Sequence, residues 1–207
     1  MKLEKNLVKK MLWALLIGIF VVGIIYCYID RPLAFWIEHH SFGRAIFKPM
    51  SEIATLLEGI AFMALIYLTI RMGWKALSRF QKALFTISLS ISTAFFMRTG
   101  FKILFGRYWP ATWIGNNPSL LKDNAYGFHF FHAGSAYESF PSGHSMTVFA
   151  TATAVWHLFP KWRWCALFVS LMEVIGLLGM NYHFLGDIVA GALIGSCVGI
   201  VTVKLVR

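Results

Sequence analysis

Met11 to Ile29 is a run of nineteen residues with no charged side chain, bracketed by Lys10 and Asp30. As an α-helix rising 1.5 Å per residue it reaches roughly 28 Å, close to the ~30 Å of a bilayer's hydrocarbon core. Further apolar runs follow at about Ile53–Ile70, Ala83–Met97, 143–160, 164–182 and Ile188–Val203. The pattern predicts an all-α fold: a bundle of six transmembrane helices in one domain over residues 1–207. Composition agrees, with 58% of residues apolar and 14% charged, against roughly 25% charged in a soluble domain. So few charges cannot clothe an apolar core in polar surface, which excludes a disordered chain and argues against a soluble enzyme. The first run has a basic front but no small-x-small cleavage pattern at Tyr26-Cys27-Tyr28-Ile29-Asp30, so the helix is expected to be retained.

The net charge of +10 would attract polyanions, but its placement points to a membrane instead of nucleic acid. Lys2, Lys5, Lys9 and Lys10 precede the first run, and Arg71, Lys75, Arg79 and Lys82 separate the second from the third. Lys161 and Arg163 divide the fourth from the fifth, and Lys204 and Arg207 follow the sixth. Cations gathered at alternate boundaries mark cytoplasmic loops. Both termini are therefore expected inside a cytoplasmic (inner) membrane, with residues 30–52, 98–142 and 183–187 facing outward.

Asp30-Arg31-Pro32 is expected to stop the first helix, since proline disrupts continued helical pairing. Residues 33–50 mix Phe35, Trp36 and Phe47 with Glu38, His39, His40, Arg44 and Lys48, which suits an amphipathic segment in the interface. The long outer loop, about 99–140, is rich in aromatics and is expected to be ordered. Glu173 falls in the middle of the fifth run, where an acid is a functional candidate by default; a helix-to-helix hydrogen bond is its expected role.

Chemistry gathers at three places on the outer side: Lys102 to Pro110, Pro141-Ser142-Gly143-His144, and His183 to Asp187. The fourth and fifth spans carry the chain in and back, which returns His183 to the level of His144. These residue types suit phosphoryl transfer, whose transition state needs cations and N–H donors around three equatorial oxygens. Lys102 and Arg107 supply cations. Ser142 and Gly143 open a helix, whose free amides favour an anion. His183 and Asp187, four apart, share a face if their turn is helical. The carboxylate can then orient one imidazole while His144 protonates a leaving oxygen. His129 and His132 have weak metal-ligand spacing but no carboxylate pair nearby, so no metal site is expected.

In this triplet the chain resembles the type 2 phosphatidic acid phosphatase superfamily. That family's pattern is Lys-x6-Arg-Pro, Pro-Ser-Gly-His and Ser-Arg-x5-His-x3-Asp, and the likeness covers about residues 50–203. The resemblance implies a membrane-bound, metal-independent hydrolase with no cofactor, acting on a phosphomonoester or pyrophosphate of a lipid. It implies His183 as the nucleophile forming a phosphohistidine, Asp187 as its orienting partner and His144 as general acid. Lys102, Ser142 and Gly143 would hold the phosphate, with Arg107 as a further phosphate ligand. Undecaprenyl pyrophosphate, phosphatidylglycerophosphate, phosphatidic acid and lipid A phosphates are the implied candidate substrates. Two departures stand out: Trp109 and Leu177 occupy the positions of the family arginines. Three readings stay open. Arg107 and one of Arg98, Lys122, His129 or His132 substitute; the substrate differs, phosphotransfer to another lipid included; or the chain binds lipid phosphate without turnover.

Overall fold

The computed structural model describes residues 5–40, 43–113 and 115–206. Lys2 and Arg207, two of the boundary cations, lie outside them. Eight α-helices occur among the described residues: α1 Lys5–Tyr28, α2 Asp30–His39, α3 Ile53–Met72, α4 Arg79–Phe105, α5 Leu120–Asp123, α6 Gly143–Leu158, α7 Arg163–Gly179 and α8 Leu185–Val206. Short 3-10 turns at Met50–Glu52, Ser135–Tyr137 and Pro160–Trp162 and isolated bridges, such as Arg107 with Phe128 and Trp109 with Ser119, vary this helical architecture.

Among the described residues, five stretches are long and apolar enough to cross a bilayer: Lys5–Tyr28, Met50–Met72, Arg79–Phe105, Pro160–Gly179 and Leu185–Val206. The fourth expected span is realised as α6, with 16 residues and a length of about 24 Å, so by length α6 falls short of a full crossing. It lies at the centre instead, packed on α3, α4, α7 and most extensively α8. Small residues permit the α6–α8 approach. On α8, Gly191, Gly195 and Gly199 lie against the α6 backbone at Ser142, Met146 and Ala150, where a Cβ at Gly195 would stand 2.9 Å from Met146 Cα. Close backbone packing through small residues spaced four apart is a recurrent device of membrane helices. Here it sets the start of α6, with His144, against the start of α8, with Asp187.

Two boundaries differ from expectation. The third run extends far past Met97: α4 continues to Phe105 and ends at Gly106, which adopts a left-handed φ of 50°. Ser78 opens this helix through a capping box with Gln81. Hydropathy had ended the span at its first charge, but Arg98 and Lys102 are helix formers and turn toward a polar cavity, so the helix carries on. The second difference is at Pro32. The first helix does stop, at Tyr28, but α2 begins at once with Asp30. A proline in a first helical turn removes no hydrogen bond, because those amides have no intrahelical partner anyway.

The described residues between α4 and α6 pack against one another and against the helices. Phe105, Phe128, Phe130 and Phe140 pack ring on ring, and Leu120 joins Ala34 and Phe184 in a small buried cluster. Glu173 makes a helix-to-helix hydrogen bond, accepting at 2.9 Å from the backbone N–H of Ala54 at the start of α3. It thereby satisfies an otherwise orphaned donor.

Candidate functional site

A polar cavity of about 490 Å³ opens where α3, α4, α6 and the start of α8 meet. Arg98 and Lys102 line it from α4, Gly143 and His144 from α6, and His183 from the turn before α8. The ring centroids of His144 and His183 are 6.3 Å apart. A phosphoryl group between them would be within reach of both, since attack needs about 3–3.5 Å and a hydrogen bond about 3 Å.

Asp187 lies in the first turn of α8 and His183 two residues before that helix. Asp187 Oδ2 stands 3.6 Å from His183 Nδ1, and accepts from Ser139 Oγ at 2.6 Å and from the Phe184 amide at 3.0 Å. With Nδ1 turned to the carboxylate, Nε2 is the nitrogen left for chemistry. Burial pushes the His183 pKa below its usual value against the opposing pull of Asp187. The shift favours the neutral ring over the imidazolium.

Arg107 is placed apart from the candidate residues of the cavity. It does not line the cavity. Its guanidinium is fully buried, donating to Asp187 Oδ1 at 2.5 Å and to Asp30 Oδ2 at 2.7 Å. Burial by itself would lower its pKa, but Asp187 and Asp30 more than offset that, so it remains charged. The residue expected to hold phosphate instead holds the carboxylate behind the histidine, because two buried acids compete for it more strongly than an open cavity does. Ser142 also turns away. Its buried hydroxyl caps α6 by accepting from the Ser145 amide at 3.3 Å, and the cavity meets Gly143 instead.

Of the four candidates to replace the missing arginines, Arg98 alone lines the cavity. Lys122 pairs with Asn116, and His129 and His132 stack with Tyr137 beyond it. Arg98 is braced by Glu58 of α3 at 2.7 Å, and Glu58 also accepts from Thr147 Oγ1 at 2.7 Å. A Cβ on Gly143 would lie 2.5 Å from Arg98 Cδ, so the missing side chain leaves the guanidinium room beside the α6 N-terminus. Should the cavity carry out phosphoryl transfer with Arg98 as a donor to the phosphate, Arg98→Ala would lower kcat by on the order of 10²–10³. Arg98→Lys should recover part of it, read as phosphate release at saturating substrate.

Trp109, at a family arginine position, tilts against His183 with 5.2 Å between ring centroids, and the Lys102 ammonium lies 5.6 Å from its ring. Leu177, at the other, is fully buried in α7 and lies off the cavity. Thr55, whose hydroxyl is 3.5 Å from His144 Nε2, and Glu58 were missed by motif reasoning. An acid inside an apolar run was the available signal for Glu58; Thr55 offered none.

Two lipid A 1-phosphatases, from Rhizobium johnstonii and Rhizobium etli, are 36% and 35% identical to the chain over 81 residues. The matches cover 37% of this chain and only 32% and 33% of those proteins, so the chain aligns with about a third of their length. No solved structure matches the chain. The sequence model of the PAP2 superfamily matches residues 82–207, which takes in all three motif clusters and the helices that carry them, and the chain belongs to that superfamily.

Proposed function

We propose that the protein is a metal-independent membrane lipid phosphatase, hydrolysing a phosphomonoester or pyrophosphate of a lipid through a phosphohistidine. The observation that carries this reading is the 6.3 Å approach of His144 and His183 beside Arg98 and Lys102. Arg98, Lys102 and the Gly143 amide would gather the phosphate oxygens. His183 Nε2 would attack phosphorus as the bond to the lipid oxygen breaks, and His144 would give that oxygen its proton. Water, deprotonated by His144, would then attack the phosphohistidine and release phosphate. Among the candidate substrates, a lipid A phosphate is favoured by the likeness to the two rhizobial lipid A 1-phosphatases.

The site is assigned to the extracytoplasmic face. Lys5, Lys9 and Lys10, Arg71 to Lys82, and Lys161 with Arg163 all lie at helix ends remote in sequence from the three motifs, and cations favour the inner side. α6 would serve as the sixth crossing, its short length accommodated by surrounding helices.

The test is a panel of purified lipid phosphates scored for free phosphate and for new lipid products. Phosphate release is expected, undiminished by a chelator. Binding without turnover would overturn the enzyme reading, new phosphorylated lipids would make it a phosphotransferase, and chelator inhibition reversed by divalent metal would remove metal independence.

A further inference from the structure

Asp30 lies at the α1–α2 corner, outside the stretch matched to the superfamily, yet its side chain is fully buried against the motif residues. Its Oδ2 accepts from Arg107 Nη2 at 2.7 Å. Its Oδ1 accepts at 2.9 Å from the amide of Gly186, the residue before Asp187. Arg107 in turn donates to Asp187 Oδ1. The guanidinium carbon is ringed by Phe184, Phe128, Tyr26 and Tyr126 at 4.3–5.3 Å from their centroids. Water is thus kept from a chain that runs Asp30–Arg107–Asp187–His183.

The charge count gives the chain a consequence. Arg107 with Asp187 alone would be neutral, and the guanidinium would cancel most of the field that Asp187 exerts on His183. With Asp30 added, one cation faces two carboxylates, and a net negative charge remains in a medium that screens poorly. His183 needs that charge. Lys102 faces it from α4 and His144 from α6, while Arg98, braced by Glu58, lies across the same cavity. When Nε2 bonds to phosphorus and the electron pair of the breaking P–O bond leaves with the lipid oxygen, the ring becomes a cationic phosphoimidazolium.

We propose that Asp30 is a positioning residue of the His183–Asp187 pair, acting through Arg107 to leave Asp187 its negative charge and through Gly186 to fix its backbone. The proposal rests on His183 being the nucleophile. It makes the N-terminal corner part of the reaction machinery as well as a membrane anchor.

Asp30→Asn keeps the shape and an acceptor for Gly186 while removing the charge. In detergent-solubilised full-length protein, kcat is expected to fall about tenfold with KM held within about twofold. The acid limb of the kcat/KM profile should move to lower pH by about half a pH unit, since removing a nearby anion makes imidazole harder to protonate. A purely structural role would lower the melting temperature and leave that limb in place. Asp30→Glu retains the charge, so its limb should coincide with wild type even if its melting temperature falls; a displaced limb there would overturn the proposal, and it serves where the Asn variant does not fold. His183→Ala is assayed alongside. Full turnover in that variant would sink the phosphohistidine reading and this proposal with it. An inactive His183→Ala beside an Asp30→Asn enzyme with wild-type kcat and an unmoved limb would sink this proposal alone.

Discussion

Replacing His183 with Ala is expected to abolish phosphate release, by roughly 10⁴–10⁶ in kcat, the range seen when a covalent nucleophile is removed from a catalytic unit. The effect should be this large because, of the two histidines among the described lining residues, His183 is the one set against a carboxylate. His144, 6.3 Å away by ring centroid, is at the other side of the gap a phosphoryl group would fill. The wild-type protein, quenched in base after brief exposure to labelled lipid phosphate, should retain acid-labile phosphate, and His183→Ala should retain none. His144→Ala should behave differently. Loss of a general acid costs about 10²–10⁴, and the deficit should shrink when a good leaving group such as p-nitrophenol needs no proton. A His183→Ala variant that turns over normally would remove the mechanism.

The second large effect concerns stability. Arg107→Met should destabilise the fold by about 3–5 kcal/mol, the cost of breaking a buried pair by removing one partner. Methionine nearly fills the volume but leaves Asp30 and Asp187, both fully buried, facing each other without a cation. The expected reading is a much lower melting temperature in detergent. The deficit has a pH sign. Buried without its cation, the Asp30 carboxylate has a folded pKa raised above its unfolded one, so the penalty is full well above that value and fades as pH falls through it. The variant should therefore recover toward wild type on mild acidification. Arg107→Met with an unchanged melting temperature would mean that the pair contributes nothing to the fold. The same substitution should also slow catalysis, because Arg107 holds the carboxylate that orients His183, although it does not line the cavity.

Both effects turn on residues whose roles were unevenly legible in the amino-acid sequence. Pro141-Ser142-Gly143-His144 and the His183–Asp187 spacing single out two histidines and an acid without coordinates, and the fold brings these three together. Lys102 follows from the same pattern. Arg107 does not: its charge is visible in sequence, but which partner wins it depends on Asp30, 77 residues away. The span ending at Met97 was misjudged for a related reason. A hydropathy window treats Arg98 and Lys102 as solvent-side residues, whereas a helix can carry them into a polar cavity inside the bundle. Arg98 was therefore one of four equivalent candidates until its pairing with Glu58 and its place over Gly143 distinguished it.

Apolar run length, the placement of cations and three short motifs determined by themselves that this is a helical membrane protein of the PAP2 superfamily. Those properties are local: they follow from hydrophobicity per residue and from the fixed rise and period of a helix. Tertiary structure alone decided which cation meets the cavity, which is buried behind it, and that the first helix hairpin closes on the acid beside His183. Those outcomes depend on which charges are drawn out of water together, and burial makes that choice only once distant helices have packed.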